Sequence, residues 1–221
     1  MLKGIIQRSD GQRRKNFKTI IHAFKHAVEN KPDTIAIICG TSQATYREYG
    51  EGAARAAAFL KAGKLQKGDR VIICATTSLS LPMIILGAMA AGAQVSLINP
   101  LYKEREIKPL LDITEPTVIF CDAVSIDVIK DISVTRRITL INISDPKNTW
   151  QDLSITSLPT DLPNADDGAV IMFTGGTTGI SKGVPHNHTK IMAAIEIMED
   201  RWPTDLSTDL LLNVPPVFHI T

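Results

Sequence analysis

Seven positions in one short stretch have the side chains and spacing to hold a polyphosphate: Thr174, Gly175, Gly176, Thr177, Thr178, Gly179 and Lys182. The three hydroxyls can donate hydrogen bonds. The three glycines lack Cβ atoms, so backbone N–H groups can come close to a ligand. Successive N–H groups in such a loop form an anion-binding concavity. The Lys182 ammonium adds a mobile positive charge. A Walker loop places glycine directly before its lysine and Ser or Thr directly after it. Here Ser181 precedes Lys182 and Gly183 follows, so that solution is excluded. The residue-level alternative is a Gly/Thr-rich surface loop between strands.

The order of the residues narrows the choice. Thr174-Gly175-Gly176-Thr177-Thr178-Gly179-Ile180-Ser181-Lys182-Gly183-Val184 resembles the phosphate loop of the adenylate-forming superfamily. That family holds acyl-CoA synthetases, luciferases and peptide-synthetase adenylation domains. Its usual loop is Thr-Ser-Gly-Thr-Thr-Gly-x-Pro-Lys-Gly. Gly175 stands in place of the serine and Ser181 in place of the proline, and the Gly-Gly form is familiar among long-chain acyl-CoA synthetases. Three further stretches resemble the same family in the expected order. Thr45-Tyr46-Arg47-Glu48-Tyr49 is similar to its early Thr-Tyr-x-Glu-Leu element, although a capped helix start explains these residues equally well. Leu86 to Ala93, then Asn99-Pro100-Leu101-Tyr102 and Glu104 to Ile107, resemble a run found in fatty acyl-CoA synthetases; these residues are assigned no chemistry. Pro216-Val217-Phe218-His219 resembles the family's Pro-x-Phe-His segment.

The resemblance implies a two-step reaction. A carboxylate, of the fatty class, attacks the α-phosphate of ATP, giving an acyl-adenylate and pyrophosphate. The thiol of coenzyme A then takes the acyl group. ATP, Mg²⁺ and coenzyme A are the co-substrates implied. The loop residues would hold the β- and γ-phosphates, and His219 would stand at the carboxylate end of the substrate site. His186 and His188 could share one face of an extended segment and bind a metal. His188 aligns instead with a histidine that starts a helix, so no protein metal site is assigned. The family's ribose-binding aspartate, hinge and catalytic lysine would lie beyond Thr221. The chain therefore reads as the amino-terminal part of a larger enzyme, inactive when alone. Two readings from other classes stay open: a non-catalytic nucleotide- or phosphate-binding module, and a structural domain with a vestigial loop. Within the family, an aryl-CoA ligase or fatty acyl-AMP ligase is the alternative branch.

Composition agrees with an intracellular globular domain. The chain has 221 residues, 44% of them hydrophobic, and a net charge of +1. That balance does not point to nucleic acid. Cys39, Cys74 and Cys121 are an odd set embedded in apolar runs. They argue for a reducing, cytoplasmic setting and against a disulfide framework. The basic first fifteen residues precede no apolar segment of the secretory type. Val71 to Tyr102 carries no formal charge, but Pro82, Gly87, Gly92 and Asn99-Pro100 interrupt it. It reads as strand, helix and strand, with no transmembrane span. Peripheral membrane association stays open.

The elements that must position the loop follow from periodicity. Phe17 to Glu29 repeats its apolar residues on one helical face. Thr34 to Cys39 reads as a strand, and Thr45 with Glu48 forms a capping box that opens an alanine-rich helix through Lys61. Arg70 to Ala75 is a strand. Pro82 suits the first residue of the next helix, and Gly92 closes it. Ala93 to Ile98 is a strand, Glu104 to Asp112 a helix and Thr117 to Cys121 a strand. Ala123 to Lys130 is read as a helix and Arg137 to Ile141 as a strand. Ser144 to Asp167 is a polar connector with one short helical turn near Trp150. Ala169 to Phe173 is the strand feeding the loop, His188 to Arg201 a helix, and Asp209 to Asn213 a strand. Alternating strands and helices imply an α/β fold, a mostly parallel sheet with helices on both faces. The resemblance makes it part of a large N-terminal domain. The expected division is residues 1–143 as one α/β subdomain, 144–168 as connector, and 169–221 as the phosphate-loop segment opening a second. A sheet of this extent leaves an edge or apolar face uncovered, so self-association is expected.

Overall fold

Two short runs, Arg-Val-Ile-Ile-Cys and Val-Ile-Phe-Cys, carry apolar residues on both faces of the strands they form, and a third, Gln-Val-Ser-Leu, carries them on one face with a buried serine on the other. Such strands belong inside a parallel sheet with both faces covered. They are β3 (Arg70–Cys74), β4 (Gln94–Leu97) and β5 (Val118–Cys121) of the structure, a computed structural model that describes residues 17–174, 182–204, 210–213 and 217. β6 (Thr139–Asn142) and β7 (Gly168–Thr174) run parallel to them, and β8 (Lys182–Asn187) pairs antiparallel with β7. The sheet order is β6-β5-β3-β4-β7-β8. A separate hairpin joins β1 (Ile35–Cys39) to β2 (Ser42–Thr45).

The helices divide between the two faces of this sheet. α1 (Ile20–Asn30), α2 (Tyr46–Ala62) and α3 (Ser80–Ala90) put Ile21, Ala56, Ala57, Leu60, Ile84 and Ala88 into one cluster with Val71 and Ile73. α4 (Glu104–Thr114) and α5 (Ile126–Arg136) put Ile107, Leu110, Leu111 and Ile129 into another with Ile72 and Cys74. Alternate residues of a strand face opposite sides, so α3 and α4 lie on opposite faces. α2 and α3 meet closely because Gly87 has no side chain: a Cβ there would lie 2.5 Å from the Ala53 carbonyl oxygen. α6 (His188–Arg201) packs on β7, β8 and α1.

Several expected boundaries move for local reasons. The Thr45–Glu48 capping box forms with both bonds present. α3 starts at Ser80, so Pro82 is its third residue; its missing N–H falls in the first turn, where no intrahelical partner exists. α5 starts at Ile126, not Ala123, because the Asp122 carboxylate ties the amides of Val124 and Ser125 into a turn. It runs on to Arg136, and Arg137 ends it with a left-handed φ of 57°, so β6 begins at Thr139. The turn near Trp150 is a 3-10 turn over Thr149–Asp152. β2 and β8 were not expected. Of the strand expected at Asp209–Asn213, Asp209 lies outside the described residues, and 210–213 lie in no strand, with Leu210, Leu211 and Leu212 exposed. An apolar run without a neighbouring strand has no ladder to join, and none of the described strands lies beside it.

Candidate functional site

β7 is apolar through Phe173 and then reaches Thr174. Its partner β8 starts at Lys182, and the register pairs Thr174 directly with Lys182. Cross-strand partners of this kind stand with Cα atoms about 4.5–5.5 Å apart and side chains on the same face. The threonine and the lysine at the two ends of the predicted loop are thus brought together at the mouth of a hairpin. Both are exposed, and among the described residues no ion-pair partner holds Lys182. Lys182, expected within the loop, is the first residue of a strand. Gly175, Gly176, Thr177, Thr178 and Gly179 lie outside the described residues, and so does His219. Val217, two residues before His219, packs against the cluster on the α3 face.

The hairpin mouth stands at a particular edge of the sheet. β3, β4, β5, β6 and β7 are mutually parallel, so Thr174 lies at the same edge as Cys74, Leu97, Cys121 and Asn142. β3 leads to α3 on one face and β4 to α4 on the other. Open α/β sheets bind ligands outside the carboxyl ends of their strands, where the connections part in this way.

A buried carboxylate fixes that edge, and sequence reasoning missed it. Asp122, just after β5, is 5% exposed. Its Oδ2 accepts the Thr76 N–H at 2.7 Å and the Thr76 hydroxyl at 2.6 Å. Its Oδ1 accepts from the amides of Val124 and Ser125, and the Ser125 hydroxyl beside it donates its one proton to the Cys74 carbonyl. Burial alone would raise the pKa of Asp122. The bonds from Thr76, then those from Val124 and Ser125, outweigh it and hold the carboxyl below its ordinary value. The ends of β3 and β5 are therefore tied through one charge. The Asp-x-x-Ser spacing after an apolar run was the available signal. Burial pushes the thiols of Cys74 and Cys121 up to about 12, so neither is a nucleophile at neutral pH.

The opposite edge of the hairpin is anchored separately. Lys67 Nζ lies 2.7 Å from Asp167 Oδ2, and the Asn164 amide donates to the same oxygen. The amides of His188 and Thr189 donate to the carbonyls of Asp167 and Ala165. Asn187 caps α6 by accepting from the Lys190 amide. His188 is the first residue of α6, as expected, and is completely buried with neither ring nitrogen hydrogen-bonded. Burial holds its imidazole below the usual value; Asp167 opposes that and His22 adds to it. Among the described residues no group of three or more His, Cys, Asp or Glu side chains could hold a metal ion, and no helix is long and apolar enough to cross a membrane.

At this edge the described residues offer the Thr174 hydroxyl and the Lys182 ammonium, both exposed. Known proteins share this fold. The sequence matches the family of AMP-binding enzymes over residues 24–221. A long-chain-fatty-acid–CoA ligase of Bacillus subtilis is 29% identical over 240 aligned residues, covering 92% of this chain and 42% of that protein. The inhibitor-bound N-terminal domain of FACL13 from Mycobacterium tuberculosis superposes with a TM-score of 0.71 at 27% identity, over 78% of this chain and 45% of that one. ATP-bound MatB from Rhodopseudomonas palustris superposes with a TM-score of 0.74 at 26% identity, over 84% of this chain and 38% of that one. The chain spans less than half the length of the relatives it matches.

Proposed function

Because the chain belongs to the AMP-binding enzyme family, we propose that it is the amino-terminal portion of an ATP-dependent acyl-CoA synthetase, an acid–thiol ligase acting on a fatty acid. The observation that carries this reading is the pairing of Thr174 with Lys182 across the hairpin mouth, at the carboxyl edge of the parallel sheet. In the whole protein the substrate carboxylate attacks the α-phosphate of ATP. Pyrophosphate leaves, and negative charge grows on it. Thr174, Thr177 and Thr178 offer hydroxyls to that charge, Gly175, Gly176 and Gly179 allow backbone amides to approach, and Lys182 supplies the positive charge. Fixed donors aimed at developing charge are worth about 3 kcal/mol each. Mg²⁺ enters with the triphosphate as part of the substrate. His219 serves the carboxylate end of the site. Coenzyme A then receives the acyl group.

For the chain taken alone we propose phosphate binding without turnover. Adenylation requires base, ribose, triphosphate and carboxylate held together, and positioning of this kind accounts for about 7–11 kcal/mol of a barrier. The residues named here offer the phosphate part and one side of the carboxylate part. Buried free cysteines and the near-neutral charge support a cytoplasmic protein, and the exposed Ile197, Met198 and Trp202 of the α6 region support self-association of the chain alone. The division into residues 1–143, 144–168 and 169–221 belongs to the same reading.

The test is calorimetric titration of Mg-pyrophosphate and MgATP into the chain and into Lys182→Ala. Binding in the millimolar range, about −4 kcal/mol, that Lys182→Ala weakens is the expected result. Equal affinity in both proteins would remove the loop from the function. In the full-length protein, fatty acids should drive ATP–pyrophosphate exchange; exchange driven by aryl acids alone would move it to the aryl-CoA branch.

A further inference from the structure

Lys182 is followed by Gly183, and Gly183 sits beneath α4. A Cβ at position 183 would lie 2.8 Å from Cγ2 of Ile113, in the last turn of α4, and 3.1 Å from Cγ2 of Ile171 on β7. Phe173, its cross-strand partner, has Cε1 at 3.7 Å. The two nearest groups are methyls on β-branched side chains, stiff at χ1. They are not the free ends of long chains. α4 therefore approaches β8 as closely as the missing side chain allows. Successive residues of a strand face opposite sides, so Gly183 presents its bare face to α4 while Lys182 faces away, on the side of Thr174.

We propose that Ile113, seated against Gly183, is a positioning residue for Lys182: α4 sets the height of β8 in the sheet and so fixes where Lys182 stands opposite Thr174. This rests on the phosphate-holding role assigned to Lys182 above. A methyl at 183 needs ordinary contact, 3.4 Å or more, where 2.8 Å is available. The gap between α4 and β8 must open by about 0.6 Å or more, and β8 carries Lys182 with it. Misplacement near 1 Å can cost on the order of a hundredfold in a positioned reaction. Ile113 itself is 42% exposed, so truncating it relieves the tightest contact with little loss from the core and leaves only the 3.1 Å approach to Ile171.

The experiment uses the whole 221-residue chain in four forms: wild type, Gly183→Ala, Ile113→Ala and the double variant. Two-dimensional amide spectra should show the Thr174 and Lys182 resonances displaced in Gly183→Ala and returned in the double variant. Titration with Mg-pyrophosphate should show affinity weakened by about tenfold in Gly183→Ala and largely regained in the double variant, a partial form of the hundredfold positioning effect. Melting temperature is measured alongside; a purely structural role would move it without moving the two resonances. Unmoved resonances in Gly183→Ala, or resonances that the second substitution fails to return, overturn the proposal. If wild type binds neither pyrophosphate nor MgATP, the phosphate reading fails instead, and the amide shifts still decide whether α4 positions Lys182. Should Gly183→Ala not fold, Ile113→Trp keeps the glycine and enlarges the other partner; it should displace the same two resonances, and their staying in place overturns the proposal.

Discussion

Asp122→Ala should cost this fold about 3 kcal/mol, with a range of about 2–4. The carboxylate is 5% exposed and accepts four hydrogen bonds from three residues. Their worth is not equal. The two Thr76 bonds are the shortest, at 2.7 and 2.6 Å, and bonds to a charged acceptor contribute about 1.5–3 kcal/mol each. Thr76 is exposed, so after the substitution its donors turn to water and the lower end of that range applies to each. Val124 is half exposed and its bond is longer, 3.1 Å, so water replaces it and it adds little. Ser125 is fully buried, but its hydroxyl keeps the Cys74 carbonyl, so it adds little. The sum is about 3 kcal/mol, equivalent to roughly 6–12 °C in a chain of this size. Asp122→Asn keeps one acceptor oxygen without the charge and should cost about half as much. Urea unfolding followed by fluorescence of the buried Trp150 measures both. The pH sign follows from the depressed pKa. The unfolded aspartate, with its ordinary value near 3.9, takes up a proton before the folded one does. The contribution is therefore present above about pH 4 and is lost as pH falls through the lower folded value. The difference between wild type and Asp122→Ala should shrink towards pH 2. A loss below about 0.5 kcal/mol at pH 7, the level of an ordinary surface change, would refute the claim that this charge ties β3 to β5.

Lys182→Ala in the full-length protein should slow ATP–pyrophosphate exchange by roughly 10²-fold while leaving the melting temperature nearly unchanged, since one exposed donor is lost and no core contact. Unaltered exchange would take Lys182 out of the mechanism. His188 is buried with its imidazole held below the ordinary value, so the unfolded state binds more protons below about pH 6.5. Stability should fall as pH drops from about 6.5 through that lower folded value, and His188→Leu should flatten the slope in urea midpoints taken between pH 7 and 5; an unchanged slope would assign the effect elsewhere. Thr45→Ala removes the hydroxyl that caps α2 through the Glu48 amide and should cost about 1 kcal/mol in the same unfolding assay; no change would mean that the cap is replaced by water.

Most of this fold can be read from the sequence because its central strands are short, apolar and separated by helices with recognisable ends. Thr45 and Glu48 are local, three residues apart, and their bonds follow from spacing alone. The same holds for the helix from His188 to Arg201. β8 could not be read in this way. Lys-Gly-Val-Pro-His-Asn contains the two residues that most weaken a strand assignment, and it is a strand because β7 offers a ladder and Pro185 can be tolerated at a sheet edge. β2, Ser-Gln-Ala-Thr, has no apolar alternation and exists as the return arm of β1. Asp122 escaped notice for a different reason. Its partner Thr76 is 46 residues away, and only the register of β3 against β5 brings the two together. Gly183 looked like part of a phosphate motif, while its closeness to Ile113 depends on where α4 crosses β8.

These long-range contacts also explain how Thr174 and Lys182 are held opposite each other by an otherwise apolar frame. The ladder between β4 and β7 is short, with Val95 opposite Val170 and the Gln94 side chain donating to the Val170 carbonyl at 3.3 Å. Such a ladder leaves the β7–β8 hairpin to be fixed by other means. At its base the Lys67–Asp167 pair is partly exposed, 55% and 22% for the two side chains. An ion pair of that exposure is worth about 1 kcal/mol or less. It cannot by itself fix a strand. The backbone bonds from His188 and Thr189 hold the same end, and they act on the residues where β8 gives way to α6. The loop end has no corresponding ion pair among the described residues. What restrains it is steric: Ile113 of α4 against Gly183 on one face. Ion pairing and hydrogen bonding thus govern the end of the hairpin away from the proposed phosphate site, while close packing governs the end that carries Lys182. Packing is short-ranged and insensitive to ionic strength, whereas the field of an exposed lysine is screened within about 8 Å at physiological salt. Raising salt should therefore weaken phosphate binding at the loop while leaving the geometry of Lys182 unchanged.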